Sequence, residues 1–90
     1  GPRQVGKTTL ALQYLEPPSV KNPGYLNWDR NTDKVLILKD QLPLELSKTI
    51  VLDEIHKYSK WRNLIKGFYD KHFEENRFIV TGSARLDTFR

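Results

Sequence analysis

Ninety residues, 38% hydrophobic and 29% charged, suit one small globular domain of 1–90: the chain is too apolar for a disordered tail and short enough that its core is thin. With no Cys it can form neither disulfides nor thiolate metal sites, and no apolar run approaches the ~20 residues that cross a bilayer, so a cytoplasmic protein with no membrane partner is expected. Fifteen basic residues against eleven acidic ones, a net charge of +4, would suit a nucleic acid, but Lys34, Lys39 and Lys48 sit among acids and only Lys57, Lys60, Arg62, Lys66 and Lys71 gather, so a solvated surface competes with a binding patch.

The chain opens on GPRQVGKTTL, where Gly1, Gly6, Lys7 and Thr8 stand at the spacing of a phosphate-binding loop, G-x-x-x-x-G-K-[ST]. Glycine lets successive backbone N–H groups point at one anion, and the amino end of the following helix adds partial positive charge. The run Gly1, Pro2, Arg3, Gln4, Val5, Gly6, Lys7, Thr8 and Thr9 is therefore the candidate cradle for a nucleotide such as ATP. Within it Lys7 would reach the β- and γ-phosphates and Thr8 would ligate Mg2+. An ordinary turn leading into a helix is the competing reading. Such a loop normally follows a buried strand; with none ahead of Gly1 and no Met in the chain, the sequence is expected to be a piece of a longer one.

Gly6 to Glu16 reads as a helix with Leu10, Ala11, Tyr14 and Leu15 on one face, stopped by Pro17 and Pro18. YLNWD, Tyr25 to Asp29, follows a Pro-Gly turn and predicts a strand of about five residues. In RNTDKVLILKD, Val35 to Leu38 could be a buried strand, but the caps Asn31, Thr32 and Asp33 and the spacing of Val35, Leu38 and Leu42 favour a helix that Pro43 ends. TIVLDEI, Thr49 to Ile55, has the profile of a strand buried on both faces whose end emerges into a site. From a cap at Ser59, Trp61, Leu64, Ile65, Phe68, Tyr69, His72 and Phe73 recur at helical spacing, and Gly67 among them suggests a close packing contact. RFIVTGS, Arg77 to Ser83, is a further buried strand, and ARLDTFR begins whatever comes next. Alternation of this kind implies an α/β fold, a three-layer sandwich with a mostly parallel sheet.

The apolar run IVL delivers Asp53 and Glu54 to a strand end. Asp53 is the second metal candidate beside Thr8, and Glu54 the carboxylate that would orient and deprotonate an attacking water. A helix cap or a surface charge is the alternative for an isolated acidic pair, and the phosphate-loop pattern upstream favours the catalytic reading. At the last strand end Thr81 and Ser83 could sense the γ-phosphate, with Ser83 preferred as a catalytic residue; a tight turn is the plainer reading. Arg85 could contact a phosphate or simply be solvated. For His56 beside the carboxylates, a relay of their state competes with a structural role, and Asp29 is read as a helix cap.

GPRQVGKTTLA, YLNWD, VLDEIHKYSKWRNLIKGFYD and FIVTGSARLD together resemble the P-loop domain of the bacterial and archaeal AAA-superfamily ATPases usually described only as ATP-binding proteins. The resemblance spans nearly the whole chain and rests most on His56, Lys57, Trp61, Lys66, Gly67 and Tyr69 after Glu54. It implies a P-loop NTPase core with Walker A and Walker B motifs, a catalytic acid at Glu54, and the Thr81 strand lying between the phosphate-loop strand and the Asp53 strand. It also implies a C-terminal lid and a further domain of the parent chain, and an oligomer is compatible with it. Neither the first strand nor the lid is in this sequence, so the resemblance implies an unpaired edge beside residues 77–83, marginal stability and little turnover for the 90 residues alone, with ATP hydrolysis belonging to the parent. A regulatory nucleotide switch that hardly turns over and a nucleic-acid-associated module are the rival functions.

Overall fold

The computed structural model describes residues 9–81 and the backbone of residues 86–89. In chain order these form a helical segment α1 (9–12), strand β1 (Tyr25–Asn27), helix α2 (Asn31–Leu38), strand β2 (Thr49–Asp53), a 3-10 turn (Ile55–Lys57), helix α3 (Trp61–His72) and strands β3 (Arg77–Thr81) and β4 (Leu86–Phe89). The sheet runs β1-β2-β3-β4. β1, β2 and β3 are parallel, each joined to the next by a helical crossover, and β4 returns antiparallel along β3. The α/β class with a mostly parallel sheet is as expected.

Alternation along the strands divides the core between the two sheet faces. Leu26, Ile50, Leu52, Phe78 and Val80 pack with Ile37 of α2 and with Ile65 and Phe68 of α3. Tyr25, Val51 and Ile79 face the other way and pack with Ala11 and Leu15. The register pairs Tyr25 with Val51, Asn27 with Asp53, and Asp53 with Thr81. Period two therefore places Asn27, Asp53 and Thr81 on the α1 face, at the carboxyl end of the parallel strands.

Several local expectations are corrected. The first helix ends early: its backbone is helical over 9–12, and i to i−3 bonds at Gln13, Tyr14 and Leu15 tighten the exit well before Pro17. Only Ala11 and Leu15 of its anticipated apolar face are buried, while Leu10 and Tyr14 are exposed. β1 is three residues long because Asn27 Oδ1 accepts the Asp29 N–H at 2.8 Å and turns the chain. Its outward N–H groups are taken by Asn22 O and Asp33 Oδ2, which blunts this sheet edge.

α2 forms as predicted, but none of its anticipated caps acts and Pro43 does not end it. Arg30 is the N-cap, and Asp33 is committed to Asn27 N at 3.0 Å and to Arg30 Nε at 3.0 Å. The helix closes at Leu38 in a Schellman arrangement: Asp40 is left-handed at φ 57°, Asp40 N donates to Ile37 O and Gln41 N to Leu36 O. Its buried residue is Ile37, with Val35 and Leu38 exposed. α3 starts from Lys60 rather than from a Ser59 cap, Phe73 is exposed beyond its end, and the space a Cβ at Gly67 would fill is open. The edge of β3 expected to be unpaired carries β4, with Thr81 opposite Leu86. The phosphate-loop strand expected at that edge is not among the described residues.

Candidate functional site

The carboxyl end of β2 gathers the described chemistry. Asp53 is 4% exposed, carried there by the apolar Ile50, Val51 and Leu52, which are fully buried. Tyr25 Oη donates to Asp53 Oδ2 at 2.6 Å, and Thr81 Oγ1 donates to Oδ1. Asn27 Nδ2 donates in turn to Tyr25 Oη at 3.1 Å, so three parallel strands converge on one carboxylate. Burial first, then the hydrogen bond to Asp53 and that residue's charge, raises the Tyr25 phenol well above its ordinary range. The phenol therefore stays a proton donor at neutral pH. Both hydroxyls donate to the carboxylate and orient it.

Glu54 leaves the strand in a left-handed conformation, φ 60° and ψ 20°, tied by Glu54 N to Thr81 O at 3.0 Å. Lys57 N closes the 3-10 turn on Glu54 O at 3.2 Å. The carboxylate lies beside His56 and Lys57. Glu54 Oε1 lies 3.7 Å from His56 Nδ1 and 3.9 Å from Lys57 Nζ, and the side chain is 18% exposed. Lys57 Nζ also donates to both oxygens of Asp29, at 3.0 and 2.9 Å, which raises the Lys57 pKa chiefly through that hydrogen bond. Trp28 stacks on Tyr58 with ring centroids 4.9 Å apart and fastens the same turn to the same segment.

Among the sequence-derived candidates the structure thus brings together Asp53, Glu54 and Thr81, with His56 beside Glu54. Thr9 lies in α1, which packs on the Asp53 face of the sheet. Gly1, Pro2, Arg3, Gln4, Val5, Gly6, Lys7, Thr8, Ser83 and Arg85 lie outside the described residues. One reading changes: Asp29 is an ion-pair partner of Lys57 and caps no helix. Thr81 donates to Asp53. Tyr25 and Asn27 were not singled out from the sequence; the signal that could have found them is that two hydrogen-bonding side chains flank Leu26 and so share one face of the strand. In the basic group, Lys57 and Lys71 are each paired with an acid, Asp29 and Asp40. Among the described residues no group of three or more His, Cys, Asp or Glu could hold a metal, and no helix is long and apolar enough to cross a membrane.

Comparison with known proteins adds the following. The family described as AAA domain matches residues 1–90. ATP synthase subunit alpha of Xylella fastidiosa (strain 9a5c) is 36% identical over 83 residues, which is 90% of this chain and 15% of that protein. The chain thus spans about 15% of the length of the curated relative it matches. No solved structure matches.

Proposed function

The chain belongs to the AAA domain family, and from that premise we propose that it is the nucleotide-binding core of a larger Mg2+-dependent ATPase. The observation that carries the reading is a buried, hydroxyl-held Asp53 on the face covered by α1, followed one residue on by a partly exposed Glu54, both at the carboxyl end of the parallel strands. The Gly1–Thr9 loop would bind the phosphates, with Lys7 on the β- and γ-oxygens. Thr8 and Asp53 would hold Mg2+, which when bound neutralises charge on the phosphate oxygens. Glu54 takes a proton from water, the water oxygen bonds the γ-phosphorus, and the electron pair of the broken P–O bond leaves on ADP. Ser83 would sense the γ-phosphate.

Glu54→Gln in the complete protein is the test. Nucleotide binding is expected to be retained, with phosphate release reduced about 10²- to 10⁴-fold, the range of a lost general base. Unchanged turnover removes Glu54 from the reaction. Tight binding with negligible turnover in the unaltered protein establishes the regulatory switch in its place. Lys7→Ala is expected to weaken binding itself.

A further inference from the structure

Two buried side-chain atoms among the described residues have no hydrogen-bond partner, Glu54 Oε1 and His56 Nδ1, and they lie 3.7 Å apart. Buried polar atoms left unpaired are unfavourable, and native proteins satisfy nearly all of them. The gap is a few tenths of an ångström beyond hydrogen-bond reach and too narrow for a bridging water, which would need two full bonds between the atoms. A small rotation of either side chain closes it. The 3-10 turn that follows the left-handed Glu54 brings the two together, because Lys57 N closing on Glu54 O folds residue 56 back over residue 54.

Resting on the hydrolytic reading above, we propose that His56 is a positioning residue for Glu54: Nδ1–H donates to Oε1 and fixes the carboxylate so that its other oxygen meets the attacking water. Lys57 is the weaker candidate for this task. Its ammonium is half exposed, spends its short contacts on Asp29 at 2.9 and 3.0 Å, and stands 3.9 Å from Oε1. It fastens the turn to Asp29, whereas His56 Nδ1 faces Glu54 and is otherwise unpartnered.

The complete protein is tested as unaltered chain, Glu54→Gln, His56→Ala and His56→Asn, with ATP turnover and nucleotide affinity measured in parallel. Asn presents Nδ2 where His presents Nδ1. His56→Ala is expected to lower kcat about tenfold with KM and affinity nearly unchanged, and His56→Asn to regain most of the loss. Independently of turnover, the ¹⁵N resonance of His56 Nδ1 is expected to shift in Glu54→Gln. Wild-type turnover in His56→Ala while Glu54→Gln is inactive overturns the role of His56 and leaves the hydrolytic reading standing. So does failure of His56→Asn to recover activity, which assigns the ring to packing, or an unmoved resonance. Full turnover in Glu54→Gln overturns the hydrolytic reading itself.

Discussion

Tyr25 spends its hydroxyl on Asp53 while its ring joins the core with Val51 and Ile79, so one residue serves packing and the site together. Removing the hydroxyl takes a donor from a buried carboxylate, and Tyr25→Phe is expected to destabilise the domain by about 1–3 kcal/mol in urea unfolding. The folded state holds the phenolic proton more tightly than the unfolded chain does. This contribution is therefore complete below the ordinary phenolic value of about 10 and is lost as the pH rises beyond it. The unaltered domain should lose more stability than Tyr25→Phe across that range, and equal losses would show that Tyr25 is not the titrating group. Asp53 and Glu54 were legible as an acidic pair ending an apolar run. Their different fates were not. Asp53 follows the pleat into a hydroxyl-lined niche, and Glu54, after its left-handed step, lies beside His56 and Lys57.

Among the elements, α3 was the most legible, because its apolar residues repeat at the helical period and Ile65 and Phe68 are buried where that stripe meets the sheet. Its glycine was misleading. A Cβ at Gly67 would touch nothing, so Gly67→Ala is expected to raise stability by about 0.5–1 kcal/mol through helix propensity. Gly24, just before β1, behaves oppositely: a Cβ there would sit 2.5 Å from Ser47 Oγ and 2.5 Å from Thr49 O. Backbone cannot yield as a side chain can, and Gly24→Ala is expected to cost about 1–3 kcal/mol. Denaturant midpoints of the two variants should move in opposite directions. α2 was legible as a helix but not in its phase or ends, because its stop is a Schellman closure at Asp40, a residue that carries no such signal in the way glycine does.

Taken together, the described residues form one sheet with a small core on each face, and the larger core depends on Phe78, fully buried and stacked on Phe68 with centroids 6.0 Å apart. Phe78→Ala is expected to cost about 3–5 kcal/mol, a large share of the 5–15 kcal/mol typical of a domain, and to be read as loss of a cooperative thermal transition. The sequence by itself determined the α/β class, the order of helices and strands as far as β3, the phosphate-loop pattern and the acidic strand end. Each of these is written in local periodicity, residue type and spacing. Only the tertiary structure decided that β4 covers the edge of β3 and that Tyr25 and Thr81 clasp Asp53. It also decided that Asp29 joins Lys57 and that Glu54 meets His56. Most of these contacts depend on strand register and on turns between segments far apart in the chain, and a slip of one residue would point every strand side chain to the opposite face.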